Sequence, residues 1–312
     1  KRLKEESENI RQVPYEEDAC GLFEDIGNGL YRLHLSAMGS TDIDLATVNK
    51  FFINTANSVR GSIQNFEDKL EVLKECCEEN SLPYSLQECK AYLDDYKNKG
   101  YPPVSHRLTY KSLYFPAYRI VKAEYKKYFE VFNRIDSLMK LHSTVNVAID
   151  GKSGAGKSTL AELIGNVYDC NIFHMDDFFL TPELRTEERL KEVGGNVDYV
   201  RFRREIIEGL KRGFEFQYRK YNCAKKAMSE YITVIPKKLN IIEGSYSMHP
   251  TLKDFYNLKI FLYIDEEIQR QRILERNGPA MLRRFLNEWI PLENQYFEVM
   301  KIQEQSDLVF RG

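Results

Sequence analysis

Gly151-Lys152-Ser153-Gly154-Ala155-Gly156-Lys157-Ser158-Thr159 fits the phosphate-binding pattern G-x-x-x-x-G-K-[ST], and its flanks fit too. Before it, Val145-Asn146-Val147-Ala148-Ile149 is a short apolar run that reads as a buried strand. After it, Leu160-Ala161-Glu162-Leu163-Ile164 reads as the first turns of a helix. Strand, glycine loop and helix are the context this motif needs. Gly154 and Gly156 let the backbone curl with its N–H groups turned inward, and the helix N-terminus adds partial positive charge. The expected nucleotide contacts are Gly151, Ser153, Gly154, Ala155, Gly156, Lys157, Ser158 and Thr159. Lys157 can reach the β- and γ-phosphates, and Ser158 can ligate Mg²⁺. Such a loop points to ATP as the cofactor and leaves open what is done with it.

Four later segments narrow the choice. Ile172-Phe173-His174-Met175-Asp176-Asp177-Phe178-Phe179 is a second apolar strand ending in two carboxylates and two aromatics. Ligands of open α/β sheets bind at the carboxyl ends of strands, which turns this acidic pair toward the phosphates; the other reading is an acidic turn. A carboxylate there can take a proton from an attacking hydroxyl or help hold Mg²⁺. His174 beside it reads as a packing or hydrogen-bonding residue. Leu239-Asn240-Ile241-Ile242-Glu243-Gly244-Ser245-Tyr246 again ends a strand in an acid, and Glu243 can bind Mg²⁺ through water or orient substrate. Gly194-Gly195-Asn196-Val197-Asp198-Tyr199 suits a substrate-facing loop, or an ordinary loop entering a helix from Arg203 to Leu210. Asp177, Phe178, Asp198, Tyr199 and Tyr246 are the residues expected against the acceptor. After Ile260-Phe261-Leu262-Tyr263-Ile264-Asp265 come Arg270, Arg272, Arg276, Arg283 and Arg284. Arg272 and Arg276 share a helix face. Each arginine alone reads as solvated surface; the group reads as a lid that stabilises charge on a transferring phosphoryl group.

In this order the segments resemble the uridine kinase and phosphoribulokinase family of P-loop kinases, over roughly residues 143 to 312. The pieces that carry the resemblance are Asp176-Asp177-Phe178, Asn196-Val197-Asp198-Tyr199, Glu243-Gly244 and Arg270 to Arg276. The resemblance implies Asp176 as the base on an acceptor hydroxyl, Lys157 and Ser158 on nucleotide and Mg²⁺, and Arg272 and Arg276 as catalytic lid contacts. The substrate loop lacks the aspartate–proline–aspartate form of uridine kinases proper, and Asn277 follows Arg276 where a second basic residue is expected. The reaction class carries over; uridine as the substrate does not.

Composition bounds the rest. A chain of 312 residues has room for two domains, and 43% hydrophobic residues support real cores. A formal charge of −2 offers no electrostatic case for nucleic acid. No apolar run approaches a membrane span, and Lys1-Arg2-Leu3-Lys4-Glu5-Glu6 is not a signal peptide. Cys20, Cys76, Cys77, Cys89, Cys170 and Cys223 form no C-x-x-C pair and read as reduced thiols. These features place the chain in the cytoplasm, with a small-molecule acceptor as its partner and no membrane or nucleic acid.

Residues 1–142 read as a separate, all-helical N-terminal domain. Leu45, Val48, Phe52, Val59, Ile63, Phe66, Leu70 and Leu73 recur at helical spacing after Asp42-Ile43-Asp44. Ser85-Leu86-Gln87-Glu88 is a capping-box pattern, stopped by Gly100-Tyr101-Pro102-Pro103. A last helix is expected from about Ala117 to Leu141, joined to the first strand by His142-Ser143-Thr144, too short for a flexible linker. That joint predicts rigid docking on the kinase core, and the helices offer a surface for a homo-oligomer. Ser105 to Arg119 crowds tyrosines, arginines and a histidine into a loop-like stretch, read as interdomain packing or as a ligand surface.

The reading is an α/β P-loop kinase domain over 143–312, with a parallel sheet of about five strands near 145–149, 172–175, 239–242, 258–264 and 307–310. The implied reaction is Mg²⁺-dependent transfer of the ATP γ-phosphoryl group to a hydroxyl of a nucleoside- or sugar-like metabolite. The alternative is an ATP-dependent regulatory switch or interaction protein.

Overall fold

The computed structural model describes residues 21–58, 60–114, 116–223 and 225–312. Lys1 to Glu6, Cys20, Val59 and Phe115, all used above, lie outside the described residues. The chain forms two compact units, one of residues up to 40 with 48–127, the other of 41–47 with 128–312.

The first unit is helical in most of its length and also carries an antiparallel sheet that the sequence reading lacks. Its strands are β1 (Phe23–Asp25), β2 (Leu30–His34) and β3 (Tyr118–Lys122), in the order β1-β2-β3. Val121 of β3 continues at helical spacing into Tyr125, Phe129, Phe132 and Ile135, so β3 reads from sequence as the start of the following helix. The helices are α1 (Leu45–Ser58), α2 (Ile63–Glu78), α3 (Leu86–Asn98), α4 (Leu108–Tyr114) and α5 (Ala123–Lys127). The long helical pattern from Leu45 breaks because Ser62 caps α2, its side chain accepting from the Asn65 N–H. The capping box at Ser85 and Glu88 forms as read. Leu33, Val48, Phe51 and Val121 are fully buried, and Phe51 stacks on Tyr125 at 4.3 Å.

The second unit begins with α6 (Phe129–Leu141), whose buried Val131, Phe132 and Ile135 face its own sheet. Buried Asp136 accepts from the Asp44 N–H at 2.8 Å and the Tyr168 hydroxyl at 2.9 Å, which ties residues 41–47 to this unit. The units therefore part at 127/128, not at 142/143.

The sheet is parallel throughout, in the order β5-β8-β4-β9-β10. Its strands are β4 (Val145–Gly151), β5 (Cys170–His174), β8 (Leu239–Glu243), β9 (Leu258–Tyr263) and β10 (Leu308–Arg311). All five strands match the sequence reading. Every residue of β4 and β8 is buried, as central parallel strands require. α7 (Lys157–Gly165) follows β4. The helix α8 (Glu187–Lys191) and a helical run of α9 (Tyr199–Phe202), a π-turn (Arg203–Ile207) and α10 (Glu208–Arg212) cross from β5 toward β8. A hairpin of β6 (Phe216–Asn222) and β7 (Ala227–Val234) was not anticipated. Phe173, Phe178, Phe202 and Tyr218 join it to the sheet core. α11 (Glu266–Arg284) bends at Gly278 (φ 77°) ahead of Pro279, and α12 (Ile290–Val299) returns the chain toward β10.

Candidate active site

The loop between β4 and α7 has the shape the motif predicts. Gly151 has φ 142°, and a Cβ there would lie 2.0 Å from the Leu262 carbonyl oxygen, so no other residue fits against β9. Gly156 caps α7 in the left-handed region at φ 93°. Lys157 folds over the loop, its Nζ donating to the carbonyls of Gly151 (2.7 Å) and Lys152 (3.1 Å) and to Ser245 Oγ (3.2 Å). Ala155 is buried, while Ser158 and Thr159 are exposed at the start of α7.

Beneath the loop lies Asp150, which the sequence reading passed over. It is wholly buried and accepts from the N–H groups of Gly151 (2.7 Å), Tyr246 (3.1 Å) and Met248 (2.9 Å), and from the Tyr296 hydroxyl (2.8 Å). Burial pushes its carboxyl up to about 6 despite these donors and the nearby Lys157. Asp150 thus pins the turn after β8 and α12 to the base of the P-loop.

Asp176 and Asp177 lie in the turn after β5 and Glu243 ends β8; the acidic pair expected to face the phosphates together divides. Asp176 stands open to solvent at the end of β5. Its surroundings still raise its carboxyl above the usual range: desolvation leads, Lys157 opposes, and Glu243, Glu293 and Asp177 add repulsion. Asp177 turns elsewhere, with Lys220 Nζ of β6 at 3.1 Å. Glu243 is buried, accepts from Ser158 Oγ at 3.2 Å and lies 2.5 Å from His174 Nδ1. The hydrogen bond to Glu243 raises the His174 imidazole, so it favours the protonated ring. His174 is a hydrogen-bonding residue, as read. Ser158 and Glu243 put two hard oxygens together, the donor set Mg²⁺ takes when phosphates and water complete its shell. Among the described residues no group of three or more acidic, His or Cys side chains could hold a metal by itself.

Glu293 of α12 was missed. It is buried and accepts from the Ser153 N–H (3.0 Å), Ser153 Oγ (2.5 Å) and Ser245 Oγ (2.8 Å). No motif marks a lone glutamate 140 residues from the loop it touches. Arg201 was also missed; buried, it donates to the carbonyls of Asp177 (2.8 Å) and Arg219 (2.7 Å), joining the acidic turn to the hairpin.

The arginine segment divides. Gln269 Nε2 donates to the Ser153 carbonyl (2.8 Å) and Arg272 to the Gly154 carbonyl (3.1 Å), so the first turns of α11 touch the P-loop. Arg276 is exposed and bonds Asn277, and Arg284 lies over Trp289 at 4.9 Å. Four residues expected against an acceptor are taken up by structure instead. Phe178 is fully buried between Phe202 and Tyr218. Asp198 caps α9 through the Arg201 N–H. Tyr199 is buried, stacks on His249 and donates to the Gly194 carbonyl. Tyr246 is buried against Tyr296. Aromatic and acidic residues near a crevice serve its walls as readily as its ligand, and the linear sequence does not separate the two.

A P-loop opposite strand-end acids, with an arginine helix over the loop, is the arrangement of a phosphotransferase. Residues 146–279 match the model of the Phosphoribulokinase / Uridine kinase family. The family segment takes in the P-loop, both strand-end acids and α11 as far as the bend. A cytidylate kinase of Mesomycoplasma hyopneumoniae (strain 232) is 27% identical over 186 residues, covering 52% of this chain and 76% of that protein. A solved structure described as a possible uridine kinase from Bacillus stearothermophilus shares 22% identity and a TM-score of 0.43, over 58% of this chain and 99% of its own. Shikimate kinase from Bacteroides thetaiotaomicron shares 16% identity and a TM-score of 0.30, over 54% and 86%.

Proposed function

We propose that the chain is a Mg²⁺-dependent kinase that moves the γ-phosphoryl group of ATP to a hydroxyl of a small, nucleoside- or sugar-like metabolite. The observation that carries this reading is Asp176: an open carboxylate at the end of β5, within electrostatic reach of Lys157, with its carboxyl raised above the usual range. Lys157 and the inward N–H groups of the loop would bind the phosphates. Ser158 and Glu243 would hold Mg²⁺, which supplies charge neutralisation on the phosphates. Asp176 would take the hydroxyl proton and hold the acceptor in line, and Arg272 would steady the loop from α11.

A cytidylate kinase among the similar proteins raises a phosphate-bearing acceptor. The acids around Asp176 favour a neutral one, because Glu243, Glu293 and Asp177 all act on this position and would repel an acceptor phosphate. The test is ATP turnover against a library of nucleosides, sugars and nucleotides, with product phosphorylation read by mass spectrometry. A jump with a neutral hydroxyl compound, lost in Lys157→Ala, is expected. Hydrolysis that depends on a protein partner and yields no phosphorylated product would instead mark a nucleotide switch.

A further inference from the structure

Glu293 puts a buried negative charge against a loop built to receive anions. It repels the phosphates that loop would bind. An acceptor for the Ser153 N–H alone needs no charge, so the carboxylate calls for another explanation.

The geometry around Lys157 supplies one. An ammonium group has three donors, and this one faces three acceptors: the carbonyls of Gly151 and Lys152, and Ser245 Oγ at 3.2 Å. Ser245 can offer Lys157 a lone pair whichever way its own proton turns, but the proton's direction sets where that lone pair points. Two acceptors compete for it, Gly151 O at 3.2 Å and Glu293 Oε1 at 2.8 Å. The shorter, charge-assisted bond wins. The same carboxylate holds Ser153 by both its N–H and its hydroxyl.

We propose that Glu293 is a positioning residue for phosphoryl transfer, holding Ser153 of the P-loop from α12 and turning the Ser245 hydroxyl so that its oxygen faces Lys157. This rests on the kinase reading above. Its consequence is a split that a structural acceptor does not produce. Glu293→Gln removes the repulsion, but its NH₂ either meets the Ser153 N–H, which can only donate, or turns to the two hydroxyls, which must then accept and send their own protons elsewhere, so Ser153 and Ser245 lose the directions the carboxylate imposes. Nucleotide binding tightens while transfer slows.

The experiment uses the full chain with Glu293→Gln, Glu293→Asp and, as control, Glu298→Gln, an exposed glutamate of the same helix. Affinity for a non-hydrolysable ATP analogue and γ-phosphoryl turnover at saturating ATP are measured for each. Turnover is read with the best acceptor, or as hydrolysis where no acceptor accelerates it. Glu293→Gln should bind the analogue about threefold more tightly and turn over about tenfold to a hundredfold more slowly. Glu293→Asp keeps the charge with a shorter reach; its affinity should match wild type while turnover falls, and this variant decides alone if the glutamine variant does not fold. Glu298→Gln should behave as wild type. Binding and turnover that weaken together, or turnover within about twofold of wild type, would overturn the proposal. Wild-type hydrolysis that no hydroxyl compound accelerates would remove the kinase reading instead, and Glu293 would still be judged on hydrolysis.

Discussion

Asp176 and Asp177 are adjacent in sequence and do different work. Both lie in the single 3₁₀ turn Met175–Phe178 that follows β5, where neighbouring side chains fan out around a tight helix; here Asp176 is exposed while Asp177 meets Lys220. Asp176→Asn keeps the shape and removes the proton acceptor. Phosphoryl transfer should fall on the order of 10²–10⁴-fold, with ATP-analogue affinity unchanged or slightly improved as a repelling charge goes. Asp177→Asn should cost turnover less. Activity restored to Asp176→Asn by raised Mg²⁺ would assign the carboxylate to metal instead of to the proton. The residues that sequence reading misassigned share one cause. Phe178, Tyr199 and Tyr246 have the composition of a ligand surface, yet all three are buried, and burial is a property of the folded packing.

At the scale of elements, α11 reads from sequence as one arginine-bearing helix, and the structure gives its two ends different surroundings. The turns before Gly278 lie on the P-loop through Gln269 and Arg272, and Arg276 points to solvent. Arg272→Ala removes a charge-assisted bond to a loop carbonyl, and its exposure keeps the effect at the lower end of that class. Nucleotide affinity should weaken about fivefold to tenfold, against less than about twofold for Arg276→Ala. Equal losses in a nucleotide titration would mean that the lid acts as a diffuse charge and not through this contact. Helices and central strands were legible because their hydrophobic periods are long or unbroken. The β6–β7 hairpin and β1–β3 were not: β1–β3 have three to five residues, and β6 and β7, though seven and eight residues long, have mixed burial and a register shift between Arg219 and Tyr221 that break the alternation.

For the molecule as a whole, Asp150 links the P-loop unit's stability to pH. Its carboxyl is raised in the folded state from 3.8 to about 6, so the native unit binds a proton there more readily than the unfolded chain. Its contribution is complete below about pH 4 and is lost as pH rises through about 6, a change of about 3 kcal/mol. This opposes ordinary acid denaturation, in which native carboxylates have lowered values. Asp150→Asn should be destabilised at every pH, because its amide sets donors against main-chain N–H groups. Its deficit relative to wild type should be larger at pH 5 than at pH 7.5, measured by thermal unfolding. A deficit that does not change with pH would show that Asp150 does not titrate in this window.

What the sequence by itself determined is the local chemistry: a glycine loop between strand and helix, acids at two strand ends, five parallel strands in the right places. These follow from nearest neighbours and from hydrophobic period, which a linear chain displays. Only the tertiary structure decided where the units part, which aromatics are wall and not ligand surface, and that Asp150, Glu293 and Arg201 belong to the site. Each of these depends on groups far apart in the chain meeting in a buried place, as when Glu293 reaches Ser153 across 140 residues. Desolvation then sets the worth of each contact, because a buried carboxylate must find donors.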